Sequence, residues 1–290
     1  MAYVIMGVAI IGSGVLTYVV AVKLGLCDAA LGAGLLTGAL TSTPGMGAAV
    51  EAVGEAGKSG VTAGYAIAYI FGVLGVVFFV QLLPKFLKVD IAKERENFTA
   101  ATTVTVPEPN KKVFKLDPQN FFAFTLTIML GYVLGRLYIP GIDFSLGASG
   151  GTLVAGLIVG HFGHIGPIDL RMDKDGLDFF RELGLMLFLI GAGVPGGVSF
   201  MQHVKLSYFV IGVFMTLVPM VIGYILARYV FKLSIFNNLG SITGGMTSTP
   251  ALGTLISVAG TGDVAAAYAS TYPVALVLIV LFLKIVVPML

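Results

Sequence analysis

Hydroxyl and proline side chains cluster twice in this chain. They stand as Thr41, Ser42, Thr43 and Pro44 in GALTSTPGMG, and as Thr247, Ser248, Thr249 and Pro250 in GGMTSTPALG. Proline lacks an amide hydrogen, and its ring clashes with the carbonyl four residues back. The residue before it is pushed towards extended geometry. A helix should therefore break at each TSTP and restart just after it. A restarting helix presents unpaired amides and a partial positive charge, to which the Thr and Ser hydroxyls add donors. Two such starts facing each other could hold an anion, a carboxylate for example, without any fixed basic side chain. The plainer alternative is a packed kink whose hydroxyls bond back to their own helix.

Other chemistry is sparse. His161 and His164 in VGHFGHIGP sit three apart at an expected helix end, with no Cys or acidic residue placed to complete a metal site, so they read as interfacial histidines. Arg136 and Lys284 lie close enough to segment ends to snorkel; a buried Arg136 would instead be a counter-charge for an anion. Cys27 is the only cysteine, which excludes a disulfide within the chain. The glycine runs lack the Lys-Ser/Thr that follows in a phosphate loop. No Ser-His-Asp, paired-carboxylate or HExxH arrangement occurs, so neither an enzyme nor a metal or other cofactor is expected.

The elements that must position the two motifs follow from composition. Of 290 residues, 57% are hydrophobic and 11% charged, less than half the roughly 25% charge of soluble domains. Mean hydropathy is +0.97. Apolar runs reach the ~20 residues needed to cross a bilayer as a helix. The expected class is an all-α polytopic membrane protein. The hydrophobic segments are 2–22, 26–50 and 62–83, then 121–139, 146–165, 179–198, 206–229, 236–258 and 264–287, giving eight or nine in all. The only long hydrophilic stretch separates a first membrane part, 1–84, from a second, 119–290. This linker, 85–118, has a Thr-rich middle and a PEP that argue against a stable helix there. Its Lys85, Lys88, Lys93, Arg95, Lys111, Lys112 and Lys115 place it in the cytoplasm by the positive-inside rule, and Arg171, Lys174, Arg228 and Lys232 then fall on the same side. The net charge of +2 is too small to suggest nucleic acid.

A shared tetrapeptide alone is weak, since one such match is expected roughly once by chance in a sequence this biased. Its surroundings carry more weight. Thr41 and Thr247 lie 206 positions apart, as do Gly47 and Gly253; Tyr65 and Tyr268 lie 203 apart, as do Tyr69 and Tyr272. These matches describe an internal repeat, the architecture in which transporters form a site where interrupted helices meet near the midplane. If each TSTP segment spans fully, the copies are parallel. If each is a re-entrant hairpin or half-helix, they are inverted, which Lys23 before the first motif against Arg228 and Lys232 before the second favours.

On GALTSTPGMGAA, GYAIAYIFGVLGVVFFVQLLPKFLKVD, LGLMLFLIGAGVPGGVSF, GSITGGMTSTPALGTL and AYASTYPVAL, the chain resembles the aspartate:alanine exchanger family of bacterial antiporters. The resemblance covers most of the chain outside the linker. It implies a multi-pass bacterial plasma-membrane carrier that exchanges small carboxylates or acidic amino acids without ATP. The family's motif falls on Thr41, Ser42, Thr43 and Pro44 and on Thr247, Ser248, Thr249 and Pro250, the candidate substrate-binding residues. Two departures stand out. The family's regulatory domains between the membrane halves are replaced by the short linker, and counterparts of 121–139, 146–165 and 179–198 are missing before the first motif. Either further copies or a second subunit would supply those helices, or the sequence is a fragment. Two rival readings stay open: a cation/proton antiporter of broken-helix design, which needs intramembrane carboxylates where Glu51, Glu55 and Asp263 fall in expected loops, and a non-transporting scaffold subunit.

Overall fold

The structure, a computed structural model, describes residues 1–101, 114–116, 121–139, 144–145, 147–173, 175–184, 186–187, 190, 194 and 205–290. Residues 102–113 of the linker, with most of its Thr-rich middle, and half of the expected segment 179–198 lie outside them. Ten helices are labelled here in chain order. They are α1 (Ala2–Lys23), α2 (Ala29–Ala39), α3 (Thr43–Phe86), α4 (Ile91–Ala101), α5 (Phe121–Arg136), α6 (Gly147–Phe162), α7 (Leu206–Ile225), α8 (Ile235–Gly245), α9 (Thr249–Ala259) and α10 (Ala265–Val286). Among the described residues, four helical stretches are long and apolar enough to cross a membrane: Ala2–Lys23, Thr43–Phe86, Leu206–Val230 and Gly262–Met289. The protein is an all-α polytopic membrane protein.

The chain forms two compact units, one from residues 1–104 and 196–290, the other from 105–195. In the smaller unit α5 packs on α6 through glycines: a side chain at Gly135 would strike the Gly147 carbonyl, and one at Gly151 the Gly131 carbonyl. Short strands accompany the pair, with Phe114–Lys115 parallel to Ile168–Asp169 and His164–Ile165 antiparallel to it. His161 lies in the last turn of α6, edge-on to Phe162. Arg136 ends α5 with its guanidinium 4.3 Å from the centre of the Tyr132 ring, an exposed terminal position.

The larger unit contains both TSTP motifs. Both motifs interrupt helices as their prolines require. At 1.5 Å per residue, α2 and α9, with 11 residues each, reach roughly 16 Å, about half the hydrocarbon thickness. Helix α3 is itself two helices, because Gly54 holds φ 66 and ψ −169 inside it. Gly260, 206 positions later, has φ 65 and ends α9. The repeat therefore extends to a matched pair of left-handed glycines, a conformation other residues adopt only at a cost. The caps match as well: Asp28 Oδ1 accepts from Leu31 N to start α2, and Ser234 Oγ accepts from Asn237 N to start α8.

One expectation about the linker is corrected. Its first part does form a helix, α4, started by Asp90 Oδ1, which accepts from Ala92 N and Lys93 N. The charged KERE stretch precedes the Thr-rich run that argued against helix, and contacts with α8 and α9 stabilise it.

Candidate functional site: two hairpins that meet tip to tip

Each TSTP ends one helix and begins the next within four residues. Thr41 N donates to Gly38 O and Ser42 N to Thr37 O; Thr247 N donates to Gly244 O and Ser248 N to Thr243 O. This is the Schellman pattern, in which the residue after the cap is left-handed and usually glycine. Here it is Thr41 at φ 53 and Thr247 at φ 52. A β-branched residue held there costs about 1–2 kcal/mol. Ser42 and Ser248 then serve as N-caps in extended geometry, and Pro44 and Pro250 sit in the first turns that follow, where the missing amide costs nothing.

What offsets the strain lies across the gap. Thr41 Oγ1 donates to Met246 O at 3.0 Å, and Thr247 Oγ1 donates to Leu40 O at 2.8 Å. The two motifs clasp each other through reciprocal bonds, with all four residues buried.

The path of the chain shows that each motif is the tip of a hairpin. Along α2, a side chain at Gly34 would strike Val61 O and one at Gly38 would strike Tyr65 O. Helix α2 therefore runs parallel to the second half of α3, so residues 43–53 must return towards the start of α2. Accordingly, a side chain at Gly57 would lie 3.2 Å from the Ala30 methyl. In the second copy, Glu94 Oε1 accepts from Ile235 N, where α8 begins, and Arg95 Nε donates to Ala259 O, where α9 ends. Neighbouring residues of one short helix touch both, so α8 and α9 have a common base. The expected spans 26–50 and 236–258 are thus re-entrant hairpins, 29–53 and 235–259.

Helix α1 measures their directions. Tyr18 Oη donates to Ala29 O at the base of the first hairpin. Gly14 packs on Leu36 and Leu40, near that hairpin's tip, whereas Gly245 of the other tip packs on Ile10. Tyr3 lines the same cavity as Ile235, at the base of the second hairpin. Progress along α1 thus runs from one base through both tips to the other base. Helix α7, the counterpart of α1, runs antiparallel to it, with Pro219 near Gly14 and Gly223 near Ile10. The repeats are inverted, and the hairpins enter from opposite ends.

Four helix ends converge at the centre. The negative ends of α2 and α8 are occupied, because the Thr41 and Thr247 hydroxyls bond their Met246 and Leu40 carbonyls. The positive starts of α3 and α9 are more open. Thr43 and Pro44 are half-buried, and Thr249 and Pro250 are exposed. Ser42 Oγ accepts from Gly45 N at 3.2 Å, whereas the fully buried Ser248 Oγ has no partner among the described residues. The centre can therefore attract an anion more readily than a cation. The eight residues singled out by sequence do come together, with different parts: Thr41 and Thr247 hold the tips, while Thr43 and Thr249 begin helices with accessible sides.

Sequence reasoning missed two features. Tyr65 stacks on Tyr69 with centroids 5.0 Å apart, and Tyr268 on Tyr272 at 4.9 Å. Tyr268 Oη lies 3.3 Å from Thr249 Oγ1, within hydrogen-bond reach of the second motif. These tyrosines had marked the repeat, and their spacing of four already put each pair on one helix face. The second is the ion pair between Lys284 Nζ and Glu51 Oε2 at 2.6 Å. Glu51 lies in a helix, not in the expected loop, and Lys284 has a carboxylate to neutralise it. Among the described residues no cluster of three His, Cys, Asp or Glu could hold a metal ion.

The family model for the Asp-Al_Ex predicted permease membrane region matches residues 1–85 and 123–288. The chain belongs to this permease family. It is 39% identical over 178 residues to an uncharacterized transporter of Bacteroides fragilis, covering 59% of this chain and 34% of that protein. A second uncharacterized transporter, from Desulfotalea psychrophila, is 34% identical over 189 residues, covering 61% of this chain and 35% of its own length. The chain thus spans about a third of the curated relatives it matches. No solved structure matches it.

Proposed function

We propose that this permease exchanges small carboxylates or acidic amino acids by alternating access, with substrate held where the two hairpin tips meet. The observation that carries the reading is the pair of open helix starts at Thr43 and Thr249, beside carbonyl ends already neutralised by the clasp. Inverted hairpins suit alternating access, because each side of the membrane gains one hinged element. The relatives bear transporter names, which supports transport but no substrate. A cation/proton exchanger would need a free intramembrane carboxylate, and Glu51 is ion-paired.

In the larger unit, Lys85, Lys88, Lys93, Arg95, Arg228 and Lys232 lie towards the end where α4 docks, and Lys23, Lys58, Lys205 and Lys284 towards the other, six against four. By the positive-inside rule the second hairpin opens to the cytoplasm of a bacterial inner membrane. The carrier would work as a homo-oligomer or beside a second subunit.

Counterflow in proteoliposomes tests this reading, with unlabelled dicarboxylates and amino acids inside and labelled aspartate or succinate outside. Thr43→Val and Thr249→Val should each abolish exchange in folded, inserted protein. Unchanged kinetics in both variants would defeat the assignment.

A further inference from the structure

A cavity of about 630 Å³ lies beside the base of the second hairpin, with Tyr3, Glu94, Arg228, Lys232, Ser234 and Ile235 among its lining residues. Arg228 and Lys232 make no ion pair among the described residues. The positive start of α8 opens into the same space. Ser234 Oγ satisfies Asn237 N, and Ile235 N donates to Glu94 Oε1 at 3.1 Å. A space walled by two cations and a helix start therefore already holds one carboxylate, and that carboxylate is tethered to the chain.

The neighbours of Glu94 keep α4 in place without it. Arg95 Nε donates to Ala259 O at 2.5 Å. Phe98 is buried and edge-on to Phe236, with centroids 5.7 Å apart and planes at 86°. Glu94 can rotate away while α4 stays docked. With Glu94 in place the wall has two cations against one carboxylate; with Glu94 out, the cations and the α8 amide face the cavity alone. That balance suits a ligand with two negative charges better than a zwitterion.

We propose that this cavity is an entry site for a small dicarboxylate on the linker side, and that Glu94 is its tethered competitor. The proposal rests on the anion-carrier reading and adds a second site, away from the tips. A free carboxylate displaces Glu94 from Ile235 N, like for like, before passing towards Thr249.

The chain contains no tryptophan, so Tyr3→Trp places a single fluorescent reporter on the cavity wall. Succinate is titrated into this variant of the full chain in nanodiscs of neutral lipid, with alanine as the zwitterionic control. A saturable change with succinate and none with alanine is expected. Adding Glu94→Gln, which keeps an acceptor for Ile235 N but removes its charge, should tighten succinate roughly fivefold, the scale of one charge at a helix start. Adding Arg228→Gln with Lys232→Gln should abolish the response, circular dichroism confirming that each variant is folded. No succinate response in the Glu94→Gln protein would overturn the proposal, as would an unaltered response without the two cations. A signal that follows added phosphatidylglycerol instead of succinate would assign the cavity to a lipid phosphate and also overturn it. Counterflow separates the two readings: exchange with a flat titration removes this site alone, and binding without exchange removes the carrier reading alone.

Discussion

Replacing Thr41 by Val removes one hydroxyl while keeping shape and β-branching, and so isolates half of the clasp. Two effects follow from the geometry. The bond to Met246 O is lost, a contribution of about 0.6–1.7 kcal/mol for side-chain hydrogen bonds between membrane helices. The buried Met246 carbonyl is also left without this donor, which places the total nearer the upper end, about 1.5–2 kcal/mol. Thr41→Gly deletes the same bond but relaxes the left-handed backbone at φ 53, which returns about 1 kcal/mol. The glycine variant should therefore be about 1 kcal/mol more stable than the valine variant, although it removes more atoms. Thr247→Val and Thr247→Gly should behave alike, because Thr247 donates to Leu40 O in the reciprocal bond. The valine double variant should be non-additive, since either bond helps align the groups of the other. Reversible unfolding in mixed micelles, followed by circular dichroism, gives these differences directly. Valine variants within 0.3 kcal/mol of the native protein would refute the clasp. A glycine variant no more stable than its valine counterpart would refute the strain argument.

Two more outcomes follow from packing and charge. Gly38→Ala and Gly244→Ala should each destabilise strongly, by about 2 kcal/mol or more, because the added methyl would meet Tyr65 O and Tyr268 O in turn; Gly12→Ala, with open space beside it, serves as a neutral control in the same melts. Glu51→Gln should cost about 1–3 kcal/mol by leaving Lys284, 12% exposed, without its carboxylate, and Lys284→Met added to it should recover part of that loss; a double variant no better than the single one would show that the pair contributes little.

Membrane residence, the two helix breaks and the repeat were all readable in the linear chain, because each rests on local chemistry. Hydropathy sums over a window, a proline blocks its own helix, and a duplicated segment keeps its spacing. Even the left-handed glycines could have been found by carrying the 206-residue offset on to Gly54 and Gly260. The linker helix was misjudged because the Thr-rich run outweighed the charged stretch before it, and Glu94, Arg95 and Phe98 meet Ile235, Ala259 and Phe236 across long stretches of chain. Periodicity could not separate a crossing helix from a hairpin, since both are apolar and both break at proline. Long-range contacts separated them: glycines of α2 lie against Val61 and Tyr65, and α4 touches Ile235 and Ala259 together. The division of labour within TSTP was equally hidden. Identical hydroxyls at positions one and three of the motif became a clasp and an accessible helix start, because burial and backbone direction, set by the opposing hairpin, decide which carbonyl or ligand each can reach.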